Sequence, residues 1–256
     1  MNNKTFCGCW LGALLLFGGW AVAWAQDPEP LKAMGLVVPY RQSELASRTD
    51  GVVAEILVEE GNEVKEGQVL ARMESKKEEL NYDYYKALVA KSSNDLVAAD
   101  ELFKDNILSK TDREQKAIEA RLAETQCQIS QESMDEKLIK APYAGIFMRR
   151  FHERGEAIKA LERYGEIVNI DKVYVVIYFD AAQLPRVKRG QRAEVQIPTQ
   201  GDTVFPGTVE IVDPVVDPSS ALFRIKVVVE NSDHKIGTGT KGQVVLMEDA
   251  HASATK

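Results

Sequence analysis

The chain has 256 residues, of which 45% are hydrophobic and 28% are charged, and its formal net charge is −7. This length and composition suit an ordered protein of two or three small domains with a sizeable core. The acidic balance argues against nucleic acid as a partner, because phosphate binding needs clustered lysine and arginine.

Residues 1–25 have the pattern of a secretory signal. Lys4 precedes an apolar run over residues 9–20, and Ala23-Trp24-Ala25 gives the small-x-small pattern of a cleavage site. We expect cleavage after Ala25, with an uncleaved membrane anchor as the alternative. Cleavage would leave Cys127 as the single thiol, so an intrachain disulfide is excluded.

Residues 26–34 are predicted to form a flexible leader, because they contain charge and two prolines in Asp27-Pro28-Glu29-Pro30. The next signal is a stretch that occurs twice, over residues 49–74 and 143–170. Both copies alternate apolar positions and share glycines, which predicts one β unit used twice. The two halves together are expected to form a flattened β-sandwich with a pseudo-twofold axis.

The glycines of the repeat are predicted to lie at turns, since glycine readily adopts positive φ. The first two pairs are 94 residues apart and the third is 98 apart, which predicts four extra residues in the second copy. The three pairs are Gly51 with Gly145, Gly61 with Gly155, and Gly67 with Gly165.

Residues 76–137 separate the two halves and contain neither glycine nor proline. Their Glu, Lys, Ala, Leu and Gln content favours helix. Asp105-Asn106 interrupts the pattern, and Ser109 followed by Asp112 is typical of a helix N-terminus. The segment is therefore predicted to form two antiparallel helices that project from the body, with a helical insertion packed on the body as the alternative.

Apolar residues at heptad-like spacing predict the seam between these helices. The second helix contributes Ile118, Leu122, Thr125 and Ile129. The first contributes a less regular set, Tyr84, Leu88, Ser92, Ala99 and Leu102.

Removing the helical segment joins residues 35–75 to residues 138–170, which together suit one small β domain. Residues 171–248 contain about five strand-like runs separated by Gly and Pro, which predicts a small antiparallel barrel. Residues 249–256 are predicted to form a polar tail.

This order of segments resembles the periplasmic adaptor, or membrane fusion protein, family of bacterial efflux pumps and haemolysin-D-like type I secretion. Three stretches carry the resemblance: the GVV to VLA run of residues 51–71, APYAGI at residues 141–146, and DPVVDPS at residues 213–219. The resemblance implies a mainly β fold. Its lipoyl-like barrel-sandwich hybrid domain is interrupted by a coiled-coil hairpin and followed by a small β-barrel.

The resemblance also implies a function in the periplasm. Such an adaptor links an inner-membrane transporter, proton-driven or ATP-driven, to an outer-membrane channel. It associates with copies of itself side by side, often six, and needs no cofactor. Many members have a further membrane-proximal domain built from both chain ends, and this chain is expected to lack it.

The hairpin tip is the candidate site for the channel. Members that dock there often carry Arg-x3-Leu-x6-Ser, and here Leu102 and Ser109 stand at the matching spacing, with Ala98 in place of the arginine. Ile107 and Leu108 are apolar residues in the predicted turn, which favours a partner contact. The alternative is that Ser109 caps the second helix and Leu102 packs in the seam.

No catalytic or metal-binding motif is present in the sequence, so an enzyme is not expected. One rival class is a lipoyl or biotinyl carrier, because Glu74-Ser75-Lys76 lies between the half-repeats, where carriers place their modified lysine. A periplasmic scaffold without a pump is a second alternative. The transported substrate stays open.

Overall fold

The computed structural model describes residues 30–201 and 203–247. The cleavage site expected at Ala23 and Ala25 and the tail of residues 249–256 lie outside the described residues. None of the described helices is both long enough and apolar enough to span a membrane.

The repeated stretches form two four-stranded sheets that face each other around one core. One sheet has the strand order β5-β4-β2-β7, and the other has the order β1-β8-β6-β3. The strands are β1 Leu31–Ala46, β2 Gly51–Ile56, β3 Glu63–Val64, β4 Val69–Met73, β5 Leu138–Lys140, β6 Gly145–Arg150, β7 Ala157–Ile158 and β8 Arg163–Asp180. Their inner faces bury Val53, Leu70, Met73, Phe147, Tyr164 and Ile167 almost completely. We call this unit the half-barrel domain.

Equivalent residues in the two halves of the half-barrel domain are 94 residues apart in sequence throughout the repeat. The Leu57 N–H donates to the carbonyl oxygen of Leu70, and the Phe151 N–H donates to that of Tyr164, both at 2.8 Å. After the next turn, the Gly67 N–H donates to Ala141 and the Leu161 N–H donates to Ser47, again at 2.8 Å.

The prediction of four extra residues in the second copy is therefore wrong. Leu161, and not Gly165, is the counterpart of Gly67, because the turn conformation is retained while the glycine is not. The φ angle is +76° at Gly67 and +66° at Leu161.

Positive φ is found at half of the predicted turn glycines. Gly61 and Gly155 have φ of +84° and +86° in equivalent turns. With Gly67, they bear out the turn prediction.

The other three, Gly51, Gly145 and Gly165, lie in strands, so the turn prediction is wrong for them. They are places of close packing. A Cβ at Gly145 would collide with the carbonyl oxygen of Val168, and one at Gly165 would lie 2.7 Å from that of Arg149.

The second domain is a closed six-stranded antiparallel barrel. Its further strands are β9 Arg192–Gln196, β10 Val204–Val212, β11 Leu222–Glu230 and β12 Lys241–Leu246. The order is β1-β12-β9-β10-β11-β8, and β8 pairs back with β1. Buried aliphatic and aromatic residues fill it, including Val175, Ile177, Phe223, Ile225 and Val244.

Strand β1 is the sixth strand of the barrel, and its first residues were predicted to belong to a flexible leader. Residues 31–34, expected to be flexible, begin β1 and pair with β12. Leu31 and Ala33 pack against the barrel core, while Lys32 and Met34 point outward. This period-2 alternation buries apolar surface and completes the hydrogen bonding of β12.

The two domains share strands and are not joined by a flexible linker. Strand β1 pairs with β8 from Leu36 opposite Val176 to Ala46 opposite Arg163, with a register shift around Tyr40. Tyr40 packs against Tyr174 with a distance of 5.1 Å between ring centroids and an interplanar angle of 32°. Aromatic packing therefore supports this two-stranded connection.

Residues 76–137 form the predicted helical hairpin. Helix α1 spans Lys76–Lys104 and helix α2 spans Lys110–Asp135. The helices contact each other along their length through small residues, and the buried ones are Ala99, Ala120, Ala123 and Ser130. Small side chains at the contact allow close packing of the helix axes.

The predicted seam is therefore wrong for most of its members. On α2, Ile118, Leu122, Thr125 and Ile129 are all exposed. On α1, Ala99 is buried and Leu88 and Ser92 are half-buried, whereas Tyr84 and Leu102 are exposed. The apolar stripe of α2 thus remains mostly exposed in the hairpin.

Candidate docking site at the hairpin tip

The tip begins where α1 ends in a left-handed turn. Asn106 has φ of +57°, and its N–H donates to the carbonyl oxygen of Phe103 at 3.0 Å. The Ile107 N–H donates to Leu102 at 2.8 Å. This is the Schellman arrangement, which satisfies the last carbonyl groups of a helix. Asparagine is suited to it, because its side chain tolerates positive φ.

The same turn presents apolar side chains to solvent. Ile107 is 71% exposed, Leu102 41% and Phe103 39%, and Leu108 is half-buried. The Schellman geometry brings Ile107 back beside the last turn of α1, which carries Leu102 and Phe103. We call Leu102, Phe103, Ile107 and Leu108 the tip patch. Phe103 also belongs to the patch, although it was not among the tip residues predicted from the sequence. Its position beside Leu102 in the last helical turn was the available signal.

Ser109 caps α2, as the alternative interpretation predicts. The Asp112 N–H donates to Ser109 Oγ at 3.2 Å, and Ser109 Oγ donates to Asp112 Oδ2 at 2.7 Å. The hydroxyl thus has a donor and an acceptor within its own helix. The side-chain hydroxyl of Ser109 is therefore already hydrogen-bonded within the hairpin, unlike the apolar side chains of the other three predicted tip residues.

A charged pair joins the two helices just below the tip. Arg113 Nε donates to Asp100 Oδ1 at 2.7 Å. This hydrogen bond raises the pKa of Arg113, so its guanidinium group keeps its charge. The pair holds the ends of α1 and α2 in register, while Ala98 leaves the position of the family's arginine without a charge.

The remaining candidates do not form a site. Lys76 is the first residue of α1 and its Nζ lies 3.8 Å from Glu79, so it is not presented on a tight turn between strands. Cys127 is half-buried on α2. Within residues 30–201 and 203–247, no His, Cys, Asp and Glu side chains are grouped to hold a metal ion.

Family models match both domains. Residues 41–169 match a CzcB-like barrel-sandwich hybrid domain, which spans half of the chain and includes the hairpin. Residues 172–250 match a CusB-like β-barrel domain. The chain belongs to the periplasmic adaptor, or membrane fusion protein, family. Its fold of half-barrel, hairpin and barrel is the fold of that family.

Curated relatives are similar over most of this adaptor chain. The nodulation protein NolF of Rhizobium meliloti is 23% identical over 217 residues, covering 79% of this chain and 59% of NolF. The toluene efflux pump periplasmic linker protein TtgD of Pseudomonas putida is 22% identical, covering 86% of this chain and 62% of TtgD. The chain therefore spans about three fifths of the length of these relatives.

Solved structures share the fold. A MacA–MexA chimeric protein with the Pseudomonas aeruginosa MexA α-hairpin superimposes with a TM-score of 0.76 at 18% identity, over 86% of this chain and 79% of the chimera. MacA of Actinobacillus actinomycetemcomitans superimposes with a TM-score of 0.67 at 18% identity, over 86% of this chain and 79% of MacA. ZneB of Cupriavidus metallidurans gives 0.53 at 18% identity, over 86% of this chain and 98% of ZneB.

Proposed function

We propose that this chain is the periplasmic adaptor of a tripartite efflux or secretion system. It links an inner-membrane transporter, proton-driven or ATP-driven, to an outer-membrane channel, and it is held at the inner membrane through the transporter. The tip patch is the surface that docks on the channel. An adaptor of this kind performs no catalysis.

The observation that carries the proposal is the exposure of apolar side chains at the far end of the hairpin. Helix α1 has 29 residues, so the tip lies about 43 Å along the helix from its base. Ile107 belongs to neither of the two core clusters in the described part of the chain. Contiguous exposed apolar residues at such a place indicate a partner surface. Because Ser109 is already hydrogen-bonded, the contact is mainly apolar and relies on Leu102, Phe103, Ile107 and Leu108.

The test is the double change Ile107→Asp with Leu108→Asp in a strain that depends on this pump. Two carboxylates in the patch would have to be desolvated on docking, so efflux should be lost while the adaptor stays at its normal level. Leu80→Asp is the matched control, since Leu80 is exposed on α1 near the base of the hairpin, away from the tip. Normal efflux with the double variant at normal level would refute docking through the tip.

Self-association is the second part of the proposal. The exposed stripe of Ile118, Leu122 and Ile129 on α2 is apolar surface that a neighbouring copy would cover. Leu122→Glu should reduce the cross-linked oligomers recovered from membranes, whereas Gln128→Glu, on the same helix, should not. If Leu122→Glu gave the same yield of cross-linked oligomers as Gln128→Glu, the stripe would not be part of the interface between copies.

A further inference from the structure

The helical hairpin is joined to the half-barrel domain by two short connections. Strand β4 ends at Met73 and α1 begins at Lys76, while α2 ends at Asp135 and β5 begins at Leu138. Within the described residues, neither helix packs extensively against a strand of either domain. The direction in which the hairpin projects therefore depends on the contacts made at its base.

Small changes at this base are magnified at the tip. A tilt of about 10° would displace the tip patch by about 7 Å, because the tip lies about 43 Å along the helix from the base. A surface that docks on a partner needs supporting contacts that hold it in its binding geometry. The base of the hairpin is where such contacts are required.

Open space lies beside the base on one side. A cleft of about 480 Å³ separates Glu132 and Asp135, in the last turns of α2, from Ser43 and Glu44 on β1 and from Arg48. The cleft leaves α2 room to tilt towards β1. Contacts elsewhere at the base must therefore oppose this tilt.

Lys137 lies where α2 passes into the half-barrel domain, and its backbone bonds to both. Its N–H donates to the carbonyl oxygen of Met134 at 3.2 Å, in the last turn of α2. Its own carbonyl oxygen accepts from the N–H of Met73 on β4 at 2.9 Å. The position of its Cα is thus fixed by the helix and by the sheet together.

The side chain of Lys137 reaches two further segments. Its Nζ donates to the carbonyl oxygen of Asp50 at 2.9 Å, in the turn between β1 and β2. The same Nζ lies 3.5 Å from Oε1 of Glu78, in the first turn of α1. The two side chains are only 12% and 22% exposed, so salt screens this ion pair less than a pair on the open surface. One ammonium group thus connects both helices to a turn of the half-barrel domain.

We propose that Lys137 is a positioning residue that fixes the direction of the hairpin relative to the half-barrel domain. It acts through the hairpin by presenting the tip patch to the channel, so the inference rests on the proposed function.

Neighbouring polar contacts at the base are local and do not replace it. Ser75 Oγ donates to Glu79 Oε1 at 2.8 Å within the start of α1. Lys140 Nζ lies 3.2 Å from Asp135 Oδ1, which joins the end of α2 only to the adjacent β5.

The experiment measures the distance between the hairpin and the half-barrel domain in the full chain. Spin labels are placed at Asn94→Cys on α1 and at Glu66→Cys in the turn after β3, with the native cysteines changed to serine. Lys137→Met keeps an apolar stem and removes the ammonium group, so the distance distribution should become broader. Lys137→Arg keeps a cation with several donors and should restore the narrow distribution.

Two matched controls should keep the distribution of the parent. Asp50→Asn retains the main-chain carbonyl group that accepts from Lys137, and Lys140→Met removes the neighbouring ion pair. Glu78→Gln removes the opposite charge and should broaden the distribution less than Lys137→Met, which keeps the test informative if Lys137→Met folds poorly. A distribution as narrow as that of the parent in Glu78→Gln and in folded Lys137→Met would overturn the proposal.

Efflux at equal adaptor level is the second measurement. Lys137→Met should reduce efflux several-fold, and Lys137→Arg should restore it. The double change Ile107→Asp with Leu108→Asp should abolish efflux while leaving the distance distribution unchanged. Normal efflux in the double variant would refute docking through the tip. Normal efflux in Lys137→Met, with efflux lost in the double variant, would instead refute the positioning role alone.

Discussion

Leu161 occupies, in the second half-repeat, the turn position that Gly67 occupies in the first, and both have left-handed backbone. Their φ angles are +66° and +76°. The Leu161 N–H donates to the carbonyl oxygen of Ser47, directly after β1, and the Gly67 N–H donates to that of Ala141, directly after β5. Leu161 is also 84% exposed. The turn therefore holds a branched side chain in a strained conformation with little packing in return.

Relief of this strain is the first prediction. Leu161→Asn should raise the free energy of unfolding by about 0.5–1 kcal/mol, because asparagine tolerates positive φ and little apolar burial is lost. Thermal and urea unfolding measure the change. Leu161→Val is the opposite control, since β-branching increases the strain and should lower stability. A Leu161→Asn variant less stable than the parent would show that Leu161 contributes packing that outweighs the strain.

The second prediction separates the two kinds of glycine in the repeat. Gly61→Ala places its Cβ in open space, so its cost should be the conformational one of about 1 kcal/mol. Gly145→Ala pushes its Cβ into the backbone of Val168 and should cost about 2 kcal/mol or more through overpacking. Paired unfolding measurements decide between these values. Equal losses would mean that β6 can move away from β8.

The third prediction concerns Ser109. Ser109→Ala removes the cap of α2 and should destabilise the hairpin by about 1 kcal/mol, seen as faster amide exchange in the first turn of α2. Efflux should be retained, because the hydroxyl is used within the helix. Ser109→Asp keeps a capping group and serves as the control for exchange. Loss of efflux in both variants would instead assign Ser109 a direct role at the partner.

The fourth prediction follows from the burial of Tyr164. Burial raises the pKa of Tyr164 to about 12, above its ordinary value of about 10. The folded state thus favours the neutral phenol. The resulting stability is present below about pH 10 and is lost as the pH rises towards 12, by about 2–3 kcal/mol.

Unfolding in urea at pH 9 and pH 11, with tyrosinate absorbance as the second signal, measures the part of this loss that develops by pH 11, which is about 1–1.5 kcal/mol. Tyr164→Phe keeps the stacking on Phe147, whose ring centroid is 6.2 Å away, and should show a smaller loss between the two pH values. Tyr174 also has a raised pKa, and its contribution to the alkaline loss is the same in both proteins. An equal loss in both would assign the alkaline sensitivity to other groups.

Local signals in the sequence were enough to predict the architecture. The absence of Gly and Pro over residues 76–137 located the hairpin, and Ser109 with Asp112 located the start of α2. The repeat predicted a pseudo-twofold sandwich. The apolar pair Ile107 and Leu108 marked the exposed turn.

The errors arose where long-range packing decides the outcome. Ile118, Leu122 and Ile129 have the spacing of a helix contact, but the close approach of α1 is made through Ala120 and Ala123, and pattern alone cannot show which stripe faces inward. Aligning identical glycines paired Gly67 with Gly165, although conserved turn geometry pairs Gly67 with Leu161. Residues 31–34 looked like a leader because their partner, β12, lies at the other end of the described chain.

That pairing of β1 with β12 has a kinetic consequence. The hairpin is built from contacts close in sequence and can form early, whereas the barrel needs its first and last strands to meet, and such non-local closure is slow. Until then β1 and β9 each have an unpaired edge, which is a template for aggregation. Folding intermediates should therefore contain a formed hairpin beside an open barrel, and a chaperone that protects strand edges should improve the yield of folded protein.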